Sequence, residues 1–241
     1  ADEYNPVPVK HKDQLYLYFT GDNRLDGSGD EDIFFSKELQ VKMTFSKPDP
    51  ILINTKQQEA VTYVSNTNPV TLIYYGHYSE DLKGNLYKSK LENGIWSSRY
   101  KFPQPINSHH FEGDGILYND NILLFVSDRP SENAFNPKGE LFHGDYWGNT
   151  DIYVSIKYGN NNWTEPINLG PEINTAFAER SPSLSDDGLT LYGSSDGHPG
   201  LGRLDVFKST RTNTADWSSW TTPQNMGVAI NTPFNDLGYK I

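Results

Sequence analysis

The chain has 241 residues, enough for one large all-β domain to bury a core without covalent staples. It contains no cysteine, which excludes disulfide frameworks, cysteine-ligated zinc and thiol catalysis. Lys plus Arg total 20 against 31 Asp plus Glu, a formal charge of −11, so the chain as a whole repels nucleic acid and anionic lipid.

Read from the first residue, the chain is a succession of short aromatic and β-branched runs between Gly, Pro, Asn and Asp turns. "ADEYNPVPV" is a lone opening strand, and "LYLYFTGD", "EDIFFSK" and "MTFSKPDPILIN" follow it. A second series runs "TLIYYGHY", "GNLYKSK", "IWSSRYKFPQPIN". A third runs "LLFVSDR", "TDIYVSI", "NWTEPINLGPEIN", and a fourth "TLYGSSD", "LDVFKST", "SWTTPQNMGVAIN". No stretch keeps an apolar 3.6 period, and no apolar run reaches the roughly 18 residues that span a bilayer, so direct membrane insertion is not expected. Ala1 opens no signal-peptide pattern, which fits a processed or trimmed chain.

Each series is introduced by an Asn followed five residues later by an acid: Asn54 and Glu59, Asn107 and Glu112, Asn174 and Glu179, Asn231 and Asp236. Glu3 matches the acid of this motif at the start of the chain. The repeats run over about 1–57, 58–110, 111–177 and 178–231, with a partial strand at 232–241. Four short strands per repeat are the signature of propeller blades. The expected fold is therefore an all-β β-propeller in a single domain, 1–241. Its four-stranded antiparallel blades comprise four recognisable repeats plus an extra first strand, closing as four or five blades.

In a propeller the loops between blades and the loops between the second and third strands emerge on one face. That face collects the acids of the motif together with Asp114, His109, His110, Arg129, Arg180, His198 and Arg203. Converging carboxylates could form an acidic ring that recruits a cation. The plainer reading is a latch in which each acid accepts backbone N–H bonds from a neighbouring blade, repeated because the blades repeat. "DNRLDGSGDED", Asp22 to Asp32, fails the EF-hand pattern, but Asp26 and Asp30 have the hard oxygen donors that suit Ca²⁺ or another divalent cation. His109 and His110 are metal candidates on the same footing, with acids close behind them in "HHFEGD". The long insertion "FHGDYWGNTD" offers Asp145, Tyr146 and Trp147 as a sugar-stacking platform. Trp96, Trp163 and Trp220 occupy equivalent places in the outermost strand and are read as core.

"SDR" at 127–129, "DIYVS" at 151–155 and "NWTEPINLGPEINT" at 162–175 resemble the TolB-type, WD-like β-propeller repeat of bacterial cell-envelope proteins. Repeats three and four carry the resemblance. In repeats one and two Phe45 stands for the usual Trp and Asn85 for the usual Asp. The resemblance implies a periplasmic, outer-membrane-associated or secreted location. It also implies company with peptidoglycan-associated OmpA-type domains, and PorE-like roles in type IX secretion and gliding. The leading expectation is a non-enzymatic binding or scaffolding domain for an envelope protein, glycan or peptidoglycan. Its ligand-binding residues would be Asp145, Tyr146, Trp147, His198, Arg203, Arg129 and Arg180. One alternative is a glycan-active enzyme using Glu112, Glu179 and Asp114, with the objection that catalytic acids should be unrepeated. The other is a lectin-like carbohydrate binder. No G-x-S-x-G, H-E-x-x-H or phosphate-loop pattern occurs.

Overall fold

The computed structural model describes residues 2–79, 83–130 and 149–240, and the chain divides into two compact units, Ala1–Pro103 and Gln104–Ile241. No helix occurs among the described residues.

The first unit holds two antiparallel meanders. One runs β1 (Asp2–His11), β2 (Gln14–Asp22), β3 (Glu31–Lys37) and β4 (Asp49–Pro50). The other runs β5 (Gln58–Val64), β6 (Val70–His77) and β7 (Asn85–Glu92), with the short strands β8 (Ile95–Trp96) and β9 (Tyr100–Lys101) both on β7. A single parallel bridge, Glu31 to Gln58, joins the meanders. Tight hairpins follow from residues that tolerate positive φ: Lys12 and Asp13 between β1 and β2, Asn93 and Gly94 between β7 and β8. Strand alternation buries Val7, Val9, Ile33, Val61, Leu72 and Tyr87 in the core of this unit.

The second unit repeats the plan. β10 (Glu112–Tyr118), β11 (Ile122–Ser127) and β12 (Asp151–Tyr158) carry β13 (Asn162–Trp163) and β14 (Ile167–Asn168) on the edge of β12. The last meander is β15 (Glu179–Leu184), β16 (Thr190–Ser195), β17 (Asp205–Thr210) and β18 (Gln224–Asn225).

The outermost strand departs from the expected single run. It is split into two short pieces: Pro48, Pro166 and Pro223, which lack a ladder donor, lie between the pieces in three of the four meanders, and Ser97, Ser98 and Arg99 lie between them in the second. The pairings before each break are equivalent: Glu38 with Phe45, Leu91 with Trp96, Lys157 with Trp163, Arg211 with Trp220. Phe45 thus takes the tryptophan place in the first meander. The innermost strand of every meander also bulges at one place, with shifts at Tyr4/Val7, Val61/Tyr63, Gly113/Ile116 and Arg180/Ser183. Asn5, Asp114 and Ser181 hold positive φ there, and the bulge re-aims the side chains beside it.

Candidate functional site

The repeated Asn and acid are structural. The Asn174 amide accepts the Ile152 N–H at 2.8 Å and donates to the Ile152 carbonyl at 2.9 Å, so its side chain pairs with β12 as a strand residue would. Asn54 does the same to Ile33 and Asn231 to Val206. The next residue then delivers its N–H and hydroxyl to the acid. Thr175 donates to Glu179 at 2.8 and 2.7 Å, Ser108 to Glu112 at 2.9 and 2.6 Å, Thr55 to Glu59 at 2.9 and 2.6 Å. Thr232 repeats the N–H bond to Asp236 at 2.7 Å. These donors belong to the same loop as the acid.

Glu112 and Glu179, the expected catalytic acids of the glycan-active alternative, are members of this latch. Both are buried, and further side chains of the fold hold them: Ser127 and Arg129 reach Glu112, and Ser195 reaches Glu179. Burial is the largest influence on Glu179 and raises it to about 8 against the hydrogen bonds from Thr175 and Ser195. Asp114 is bound bidentately by Arg180 at 2.8 and 3.2 Å and by the Ser181 N–H at 2.8 Å. Burial opposes its charge, but Arg180 and Ser181 outweigh burial and hold the carboxyl below its usual range. It is therefore no proton donor near neutral pH.

The other expected ligand residues are largely committed. Arg129 donates to the Pro105 and Ile106 carbonyls and to Ser127, with its guanidinium 5.3 Å from the rings of Phe125 and Tyr153. Arg180 is occupied by Asp114. Nε2 of His198 lies 3.0 Å from the Ile173 carbonyl, and burial lowers the imidazole below its usual range. Arg203 is half-buried, and its N–H bonds the Phe234 carbonyl. Asp145, Tyr146 and Trp147 lie outside the described residues.

The metal candidates do not converge. Arg24 covers Asp26 at 2.9 and 3.0 Å, and the Asp30 carbonyl accepts the Asn23 N–H. Nδ1 of His110 sits 3.5 Å from Asp128, while His109 is exposed. Among the described residues no three His, Asp or Glu side chains come together to hold an ion.

What the register does bring together is a row of acids at one end of the first meander. Asp2 faces Asp22, and Asp22 faces Glu31. Directly opposed residues point to the same side of a sheet with Cβ atoms about 4.5–5.5 Å apart, where like charges repel. The Tyr4 hydroxyl donates to Glu31. Burial first, then Glu31, pushes the Tyr4 phenol well above its usual range, so it stays a donor. Asn23 donates to Asp22 at 2.6 Å. Arg24 reaches Glu3 at 2.5 Å and lies 4.6 Å from the Phe34 ring, bracing the row from one side.

Sequence reasoning missed Glu31 and Tyr4. Their signal was departure from the repeat. Glu31 stands where the other meanders have Gly84, Thr150 and Leu204, and Tyr4 where they have Ala60, Gly113 and Arg180.

No family model and no curated protein sequence matches the chain. Solved structures do. An α-L-arabinofuranosidase from Lactobacillus brevis is 15% identical with a TM-score of 0.56, over 92% of this chain and 73% of that one. A GH93 α-L-arabinofuranosidase of Fusarium graminearum, solved with arabinobiose, is 12% identical with a TM-score of 0.55, over 99% and 66%. A GH62 hydrolase in complex with xylotriose is 11% identical with a TM-score of 0.52, over 92% and 69%. The expectation of a non-enzymatic scaffolding domain is corrected on this finding: the matching structures are glycoside hydrolases, and what they share with this chain is the fold. The likeness to TolB-type repeats reduces to the fold they share: the chain is an all-β β-propeller built of four-stranded antiparallel blades.

Proposed function

We propose that the chain is a glycan-active propeller that hydrolyses glycosidic bonds, with Asp22 and Glu31 as its working carboxylates. The observation that carries this is the ladder register: two half-buried acids on adjacent strands face one another, outside the latch that consumes Glu59, Glu112 and Glu179. Glycoside hydrolysis needs such a pair, one group giving a proton to the leaving oxygen and the other accepting a proton from water or attacking the sugar, at about 5–9.5 Å separation. The Tyr4 hydroxyl donates to Glu31, which marks Glu31 as the accepting carboxylate and leaves Asp22 to supply the proton. The names of the similar structures support arabinose- or xylose-containing substrates. The resemblance to envelope repeats supports a periplasmic or secreted setting for that activity.

The test is sugar release from arabino-, xylo- and galacto-oligosaccharides. Glu31→Gln and Asp22→Asn should each lower the rate about 10²–10⁴-fold with the fold intact, and Tyr4→Phe should lower it less. Undiminished turnover in Glu31→Gln, or no release from any substrate, overturns the proposal.

A further inference from the structure

Each acid of the motif that opens a meander faces a small residue on the second strand. Glu3 faces Gly21, Glu59 faces Gly76, Glu112 faces Ser127 and Glu179 faces Ser195. The serines use the contact: Ser127 donates to Glu112 at 3.2 Å and Ser195 to Glu179 at 2.7 Å. Asp236 is the fifth acid of the series. It keeps the loop bond from the Thr232 N–H at 2.7 Å. Among the described residues, however, no strand pairs opposite it and no second-strand hydroxyl reaches its carboxylate.

The segment after Asp236 already has the shape of an innermost strand. The Asp236 N–H bonds the Leu204 carbonyl as the Glu179 N–H bonds the Thr150 carbonyl. Ser194 donates to the Asp236 carbonyl at 2.7 Å, and the ring centroids of Tyr192 and Tyr239 lie 5.2 Å apart. Two residues beyond the acid, Asn5, Asp114 and Ser181 hold φ of 52°, 47° and 50° at the bulges of their strands. Gly238 holds φ of 73° at the same place, which a glycine adopts without a Cβ penalty. The bulge is therefore preformed, yet the backbone groups of Leu237, Gly238 and Tyr239 have no hydrogen-bond partner among the described residues. Apolar surface beside them is open too. Ile106 and Ile173, one residue before the motif Asn, are 0% and 5% exposed, whereas Ile230 at that place is 37% exposed, with Phe234 at 73% and Leu237 at 42%. Unpaired backbone groups of this kind are a template for another strand.

We propose that Asp236, Leu237, Gly238 and Tyr239 form a strand-addition site, where an extended segment of another polypeptide pairs antiparallel with a Ser or Gly opposite Asp236. This interface continues the one that β5 with β6, β10 with β11 and β15 with β16 already make, and those pairs define the guest. Their second strands reach the small residue through "LIYYG", "LLFVS" and "LYGSS". The guest is thus a short apolar and aromatic run leading to Ser or Gly. Its main chain supplies the affinity, and the residue facing Asp236 supplies the selectivity. The preformed bulge lowers the cost of ordering the site. The site is independent of the carboxylate pair of the first unit.

The probe is an end-blocked peptide, TLYGSSDG, which copies residues 190–197. Added to the wild type, it should give saturable amide shifts centred on Asp236, Leu237, Gly238 and Tyr239. The same peptide carrying Ser195→Leu should bind about tenfold more weakly or worse, a comparison that leaves the protein untouched. In the protein, Gly238→Val should weaken the peptide by a similar factor, because a β-branched residue resists positive φ. Gly238→Asn should retain binding, since Asn visits that conformation. Binding should persist in Glu31→Gln, which separates this site from hydrolysis. Absence of saturable shifts at these residues, or equal affinity for the two peptides, overturns the proposal.

Discussion

Glu112 and Glu179 occupy one position in consecutive repeats, yet their surroundings differ in charge. Arg129 lies 3.0 Å from Glu112, whereas no cation pairs with Glu179 among the described residues. Burial therefore dominates at Glu179 and lifts it from its ordinary 4.5 to about 8. The native state keeps a proton that the unfolded chain gives up above about pH 4.5. The native state then binds more protons than the unfolded one, and stability must fall as pH rises from about 4.5 to about 8. Glu179→Gln keeps the shape without the titration. Its melting temperature should match the wild type near pH 5 and exceed it at pH 8, a comparison that calorimetry across the pH range can make. Parallel profiles for the two proteins would refute the burial argument. The same residue-by-residue view separates Asp32 from its counterparts. Asp151 and Asp205 each receive an amide N–H from Asn168 or Asn225, but Pro50 holds that register position in the first meander and offers Asp32 no such donor.

At the scale of the element, the loop Asn works as a one-residue strand. Asn174 pairs both backbone groups of Ile152; the Ile152 carbonyl also accepts the Leu169 N–H, so removing Asn174 strands chiefly the buried Ile152 N–H. Such an orphan costs about 1–3 kcal/mol, so Asn174→Ala should lose an amount in that range in denaturant unfolding. A loss below about 0.5 kcal/mol would show that water replaces the amide freely. This role also explains why the motif was easy to read. The third strands at Ile33, Ile152 and Val206 each take this pairing from Asn54, Asn174 and Asn231, so the same Asn recurs and the period surfaces in the sequence. Elements built by exception are harder to read. The broken outer strands look like single runs until the prolines are placed on the ladder.

Over the whole molecule, the formal charge of −11 sets a background of self-repulsion. The Asp2, Asp22 and Glu31 row adds a local concentration of it. Raising ionic strength from about 10 mM to about 150 mM shortens the screening length from about 30 Å to about 8 Å. The melting temperature should rise over that interval and level off beyond it. A salt-independent melt would show that the charges are already compensated. What the sequence by itself determined is the all-β repeat, the blade pattern and the identity of the recurring acids, because these are local and recur with the fold. What only the tertiary structure decided is which acids the loop latch holds and which face one another across a ladder. Glu112 and Glu179 differ from Glu31 not in residue type but in what strand pairing places beside them. Register joins residues from strands that no local pattern connects, so the facing of Asp22 and Glu31 exists only once the strands have met.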